Sequence, residues 1–183
     1  MRLEKSELVS DKPPTKQFSF NEAPGNLSGV SFLAANCQMT PMSISNIAKE
    51  IKDEFDFLDN WEDRYAHLID LGKSNAALAA DERTEAARVR GCASQVWLVS
   101  DVTPDNRLIL RAESDAMIVS GLIALLVRLF SNQTAREILA FDANAFLEEI
   151  GILGALTAQR SNGLASMLTR INKIAEATET SKA

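Results

Sequence analysis

The sequence predicts an α+β domain in which a small antiparallel sheet packs against several helices. Three observations predict it. Apolar residues recur at three- and four-residue steps from Ser43 onward, a β-hairpin pattern lies between 95 and 112, and a strongly apolar helix follows it. The chain has 183 residues, of which 46% are hydrophobic and 24% are charged. One domain with a substantial core is therefore expected.

The first 40 residues are expected to form a flexible extension. Four of the five prolines fall within the first 41 residues, where most apolar residues have neither helical nor strand spacing. We therefore divide the chain into an extension at 1–40, a folded domain at 41–177 and a polar tail at 178–183 that frays. Cys37 falls in the extension, and we interpret it as an incidental thiol.

The folded part begins with two amphipathic helices. Apolar residues from Ile44 to Leu58 share one face of the first helix. Asn60 is placed to cap the second helix, and Gly72 to end it in a left-handed conformation. A long polar connector, residues 73–91, then leads to the hairpin.

The hairpin and four further helices complete the predicted domain. Val96-Trp97-Leu98-Val99 forms the centre of the first strand, and Thr103-Pro104-Asp105-Asn106 forms the turn. In the second strand, Leu108, Leu110 and Ala112 share one face. The caps expected for the four helices that follow are Ser114 or Asp115, Thr134, Asp142, and Ser161 or Asn162.

Composition and charge exclude several classes of function. The net charge of −6 argues against nucleic acid as a partner, because phosphate binding needs a positive surface. Two cysteines are too few for a disulfide-stapled domain, so a reducing compartment is expected. The longest apolar stretch, from Met117 to Phe130, is too short for a membrane span. The N-terminus lacks a secretory signal pattern, and the cytoplasm is the expected location.

Cys92 is the candidate reactive residue. It follows Gly91, which allows close approach of another group, at the junction between the charged connector and an apolar strand. Arg88 and Arg90 lie four and two residues earlier, and a nearby guanidinium would favour the thiolate. A buried and inert cysteine is the alternative that these residues leave open.

Several kinds of chemistry are excluded for Cys92. Zinc and iron–sulfur sites need three or four ligands, whereas the folded part contains one cysteine and the single histidine, His67. The chain also lacks a Cys-x-x-Cys pair, a glycine-rich phosphate loop and a histidine downstream of Cys92 for a papain-type protease. The remaining option is a cysteine that works alone, by sulfur exchange with a partner protein.

Four sequence blocks, in order, resemble a known family. They are Asn60-Trp61-Glu62-Asp63-Arg64-Tyr65 with Leu71-Gly72-Lys73, Gly91-Cys92-Ala93-Ser94-Gln95-Val96-Trp97, Asp115 to Ala124, and Arg160-Ser161-Asn162-Gly163-Leu164. They resemble the N-W-E-x-[KR]-Y…L-G block, the G-C-x-S-x-V-W active-cysteine signature, the S-D-A-x-I-V-x-G-L-I-A helix start and the R-S-x-G-L segment of the SufE (also CsdE) cysteine desulfuration proteins. One departure is Ala93, where many members have glutamine.

The resemblance implies a SufE/IscU-like fold and a sulfur-carrying function. Cys92 would accept persulfide sulfur from a pyridoxal-phosphate cysteine desulfurase of the SufS or CsdA type and raise its turnover. The sulfur would then pass to a SufBCD-like scaffold for iron–sulfur cluster assembly. No cofactor is expected in this chain, since the desulfurase cleaves the carbon–sulfur bond. The chain would thus be a sulfurtransferase-like accessory protein rather than a stand-alone enzyme.

The same resemblance suggests the residues that support Cys92. Arg160 and Asp115 match family positions expected near the cysteine loop, although a surface charge and a helix cap are their structural alternatives. Gly91 and Arg90 complete the set of candidate contacts. An IscU-type scaffold, which would need more cysteines, and a non-catalytic interaction module are the alternative functions, and a homodimer is left open.

Overall fold

The computed structural model describes residues 42–181, except for the side chain of Ala155. The extension predicted at 1–40 and Cys37 lie outside these residues. The elements in chain order are α1 (Ile44–Asp56), α2 (Trp61–Ser74), β1 (Val96–Val102), β2 (Arg107–Ser114), α3 (Met117–Phe130), β3 (Gln133–Thr134), α4 (Ala135–Ala140), α5 (Ala143–Glu149), a 3₁₀ turn (Leu153–Ala155) and α6 (Ala158–Thr180). No helix within 42–181 is long and apolar enough to cross a membrane.

The sheet confirms the predicted fold class and hairpin. Its three antiparallel strands lie in the order β1-β2-β3, and the hairpin register pairs Val96 with Ser114 and Val102 with Leu108. The predicted inner face of β2 is fully buried. Strand β3 was missed because it has only two residues, and two residues show no period. The second of them, Thr134, is also the N-cap of α4.

The apolar helix α3 forms the centre of the core. It packs against α1, α2, α6 and β2, and most of its apolar side chains are buried. Its closest neighbour is α2, and the two backbones meet at Gly72 and Gly121. A Cβ on Gly72 would lie 2.8 Å from the Gly121 nitrogen, and one on Gly121 would overlap the Leu68 carbonyl oxygen. Only glycine at these positions allows this approach.

The prediction that Gly72 ends the second helix was therefore wrong. Helix α2 continues to Ser74, and Gly72 is not among the glycines with positive φ. A glycine at a close helix contact and a glycine at a C-terminal cap look the same in sequence, since both positions demand the absence of a side chain.

Helix starts were predicted correctly where a local side-chain cap exists. Asn60, Thr134 and Asp142 each accept a backbone N–H of the helix that they begin. Two other caps were wrong. Helix α3 starts after Ala116 without a side-chain cap, and α6 starts after Thr157 rather than after Ser161 or Asn162. Helix α6 also continues to Thr180, into the segment that we expected to fray.

Candidate functional site around Cys92

Cys92 lies in a short loop between the connector and β1. The base of this loop is closed by a backbone hydrogen bond, 2.8 Å long, from the Val89 N–H to the Val96 carbonyl. Gly91 has a φ of 96°, and a Cβ there would lie 2.5 Å from the Ser166 hydroxyl of α6. Glycine is thus needed both for the left-handed turn and for the approach to α6. This turn places Cys92 against the first turns of that helix.

Asp115 fixes the end of the loop that enters β1. Its Oδ1 accepts the Gln95 N–H at 3.0 Å, and its own backbone N–H donates to the Gln95 carbonyl at 3.3 Å. The structure thus brings Asp115 to the Cys92 loop and not to the start of α3 as a cap. The carboxylate joins the segment between β2 and α3 to the loop, at the position that follows the Val96–Ser114 pair of the hairpin.

The Cys92 thiol packs against the backbone of α6. Its S–H donates to the Gly163 carbonyl oxygen at 3.3 Å, and a Cβ on Gly163 would lie only 3.3 Å from Sγ. The resemblance included Gly163 in a motif, but no sequence pattern explained its role. The contact shows the reason: because Gly163 has no side chain, the Cys92 sulfur can pack against the backbone of α6.

A cavity of about 220 Å³ opens beside the thiol. Its apolar wall comes from α3 and α6, which are far apart in sequence. A water molecule occupies about 30 Å³ of liquid, so the cavity has room for one further sulfur atom. The lining residues besides Cys92 are Ala93, Ser94, Ala116, Ile118, Val119, Leu122, Gln159, Arg160, Gly163, Leu164 and Met167.

Arg160 lines this cavity from the first turn of α6. Its side chain is half-buried, and no ion pair within the described part of the chain involves it. The guanidinium therefore contributes an unneutralised positive charge at the lining of the cavity. The structure places Arg160 in the lining of the same cavity as Cys92, as a member of helix α6 and not of a loop.

The two arginines before Cys92 are engaged in ion pairs of their own. Arg90 has 81% of its side chain exposed and pairs with Glu85 at 3.0 Å, while Arg88 pairs with the same carboxylate at 3.5 Å. Burial raises the pKa of the Cys92 thiol above its ordinary value. In the protein alone, the sulfur is thus held as a thiol near neutral pH.

The pH dependence of alkylation follows from this burial. We expect iodoacetamide to modify Cys92 in the folded protein with a pH midpoint higher than that of the same residue in the denatured chain, because the thiolate reacts and burial disfavours it. The rate is measured from about pH 6 to about pH 10. A Cys37→Ser background leaves Cys92 as the one reporter. A lower midpoint in the folded protein would show that a cation does activate the thiol.

The remaining titratable candidates lie elsewhere or make no cluster. His67 packs edge-on against the Phe55 ring, and its Nε2 is 3.7 Å from a Glu54 oxygen. It lines no part of the Cys92 cavity. Within residues 42–181, no group of three or more His, Cys, Asp or Glu side chains could hold a metal ion.

Comparison with known proteins gives consistent results. The family model SufE, an Fe-S metabolism associated domain, matches residues 49–175. An uncharacterized SufE-like protein of Rhizobium etli is 46% identical over 130 residues, which cover 69% of this chain and 88% of that protein. An uncharacterized SufE-like protein of Rhizobium meliloti is also 46% identical over 130 residues, covering 69% of this chain and 93% of that protein.

The fold is similar to a solved structure as well. The solution structure of a hypothetical protein from Thermus thermophilus aligns with a TM-score of 0.62 and 20% sequence identity. The alignment covers 73% of this chain and 96% of that protein. At this identity the likeness concerns the fold alone.

Proposed function

We propose that this chain, which belongs to the SufE family of Fe-S metabolism associated proteins, carries sulfur on Cys92 between a cysteine desulfurase and an iron–sulfur scaffold. The observation that carries the proposal is the half-buried thiol beside a cavity of about 220 Å³. A carrier needs one sulfur atom that a partner can reach and a space that protects the product. The proposed compartment is the cytoplasm.

The transfer is an exchange between two sulfur atoms. The Cys92 sulfur attacks the outer sulfur of a persulfide on the desulfurase, so that a new S–S bond forms on Cys92 and the desulfurase cysteine leaves as a thiolate. The proton of the attacking thiol passes to that leaving sulfur or to solvent, and the step needs no external oxidant or reductant. Cys92 then carries a persulfide, and the desulfurase is free to react again.

The geometry of the site supports both halves of this cycle. The apolar wall formed by Ile118, Leu122 and Met167 would cover the outer sulfur of a Cys92 persulfide and shield it from small reductants. Arg160 lines the same cavity, and its guanidinium would stabilise the thiolate as it forms. Because burial raises the pKa of Cys92, little of the thiol would be ionised at neutral pH before a partner docks.

Mass spectrometry tests the proposal directly. The protein is incubated with a cysteine desulfurase and cysteine, its thiols are blocked, and its peptides are weighed. We expect the mass of one added sulfur atom on the peptide that contains Cys92 and none on the peptide that contains Cys37. A peptide with Cys92 that gains no sulfur while the desulfurase itself is loaded would contradict the proposal.

A further inference from the structure

A second concave surface adjoins the Cys92 loop. We call it the cationic groove: it is formed by connector residues 85–90 and by one face of α6 between Ala165 and Lys173, and its volume is about 460 Å³. It is open to solvent and is separate from the cavity beside the thiol, since the two share no lining residue. The sulfur-transfer step described above does not use it.

The charge of this groove is opposite to that of the protein. Arg88, Arg90, Arg170 and Lys173 line it, and Glu85 is the only carboxylate among the lining residues. The whole chain, by contrast, has a net charge of −6. Glu85 accepts ion pairs from both connector arginines, so the cations on α6 are left without a carboxylate in the groove.

The two cations of α6 are incompletely satisfied. No ion pair within residues 42–181 involves Arg170 or Lys173. One Arg170 nitrogen donates to the Ala86 carbonyl at 3.0 Å, which holds the guanidinium at the groove. Its Nε is buried and has no hydrogen-bond partner among the described residues. Donors that a ligand can reach remain on the terminal nitrogens, and a guanidinium already held in place is suited to binding carboxylates.

The groove lies next to the loop that carries Cys92. Ser166 lines the groove, and a Cβ on Gly91 would lie 2.5 Å from the Ser166 hydroxyl oxygen. Arg90 is the last connector residue in the groove and stands two positions before Cys92. On α6, Gly163 and Met167 face the sulfur cavity, whereas Ser166 and Arg170 face the groove. The groove and the sulfur cavity thus lie on adjoining faces of α6.

We propose that the cationic groove binds a carboxylate-rich segment of the cysteine desulfurase and so holds the sulfur donor beside Cys92. The identity of this partner rests on the proposed function. Charge complementarity supports an acidic protein segment. The first 40 residues of this chain do not fit, because their four basic and four acidic side chains cancel.

Reversing the charges of α6 tests the inference. We expect Arg170→Glu combined with Lys173→Glu to raise the KM of the desulfurase for this protein about tenfold or more at low salt, with kcat within about twofold, because docking charges act on association. Lys173→Glu alone, at an exposed position, should raise KM by about threefold and avoids the Arg170 contact with Ala86. The wild-type KM should rise with added salt.

A matched variant controls for overall charge. Lys49→Glu with Arg136→Glu makes the same change in net charge at two exposed positions, on α1 and α4, outside the groove, and its KM should equal that of the wild type. Equal KM values for this control and for the groove variant would overturn the inference. If Cys92→Ser still abolished stimulation in the same assay, the proposed sulfur-carrying function would stand. Sedimentation of the groove variant provides a second check: loss of self-association without a change in KM would assign the groove to a second copy of the chain and would also overturn it.

Discussion

Replacing Cys92 with serine is expected to reduce stimulation of a cysteine desulfurase to the rate of the desulfurase alone. Serine is slightly smaller than cysteine and can still donate to the Gly163 carbonyl, so the fold should persist. Its hydroxyl is not ionised at neutral pH and does not accept sulfane sulfur by thiol exchange. Sulfide release from cysteine, with a reductant present, measures the effect, and thermal melting checks the fold.

Cys37→Ser is the matched control for this variant. It removes the other thiol of the chain, and we expect its stimulation to equal that of the wild type. Equal stimulation by wild type and Cys92→Ser would sink the sulfur-carrier proposal, whatever the groove variants show. A large loss in Cys37→Ser would instead show that the N-terminal segment takes part in transfer.

Replacing Gly121 with alanine is expected to destabilise the fold more than any other single methyl addition at the glycines described. The added Cβ would overlap the Leu68 carbonyl oxygen of α2, and backbone atoms in a packed helix pair have no room to yield. Alanine would favour the helix by about 1 kcal/mol, which the overlap outweighs. We expect a net loss of about 3 kcal/mol and a Tm lower by about 10 °C.

Gly154→Ala is the control for Gly121→Ala. Among the described residues other than its two chain neighbours, no atom lies within 4 Å of the position that its Cβ would take. The free energy of unfolding should therefore change by less than about 0.5 kcal/mol. Both variants are compared by thermal and denaturant unfolding. A Tm for Gly121→Ala that equals the Tm of Gly154→Ala would show that α2 and α3 are not in the close contact described.

The sequence predicted the features that depend on neighbours along the chain. The hairpin follows from alternation and from the turn at Thr103–Asn106, and the capping box at Thr134 depends on residues three positions apart. Gly72 was misread because its neighbour is Gly121, which is distant in sequence. The start of α6 was misread because Thr157 begins the helix without a side-chain hydrogen bond, and therefore left no cap pattern to read.

In the candidate site, too, features that depend on neighbouring residues were predictable and those that depend on distant residues were not. Cys92 and Gly91 could be selected from local sequence, because a glycine–cysteine pair at a loop boundary is itself informative. The state of the thiol could not, because it depends on burial by α3 and α6, whose lining residues are brought together only by folding. Arg90 is close to Cys92 in sequence, yet its guanidinium is exposed and turned to Glu85. The closeness of Arg90 to Cys92 in sequence therefore did not predict an electrostatic effect on the thiol.

The backbone bonds at the base of the Cys92 loop have a consequence for solubility. Val89 donates to Val96, and Leu98 donates to Ala87, so the connector covers the first half of the outer edge of β1. An uncovered sheet edge is a template for pairing with another chain. If docking or mutation displaced the connector, β1 would present unpaired N–H and C=O groups. The connector that leads to the reactive cysteine therefore also protects the sheet edge from pairing with another chain.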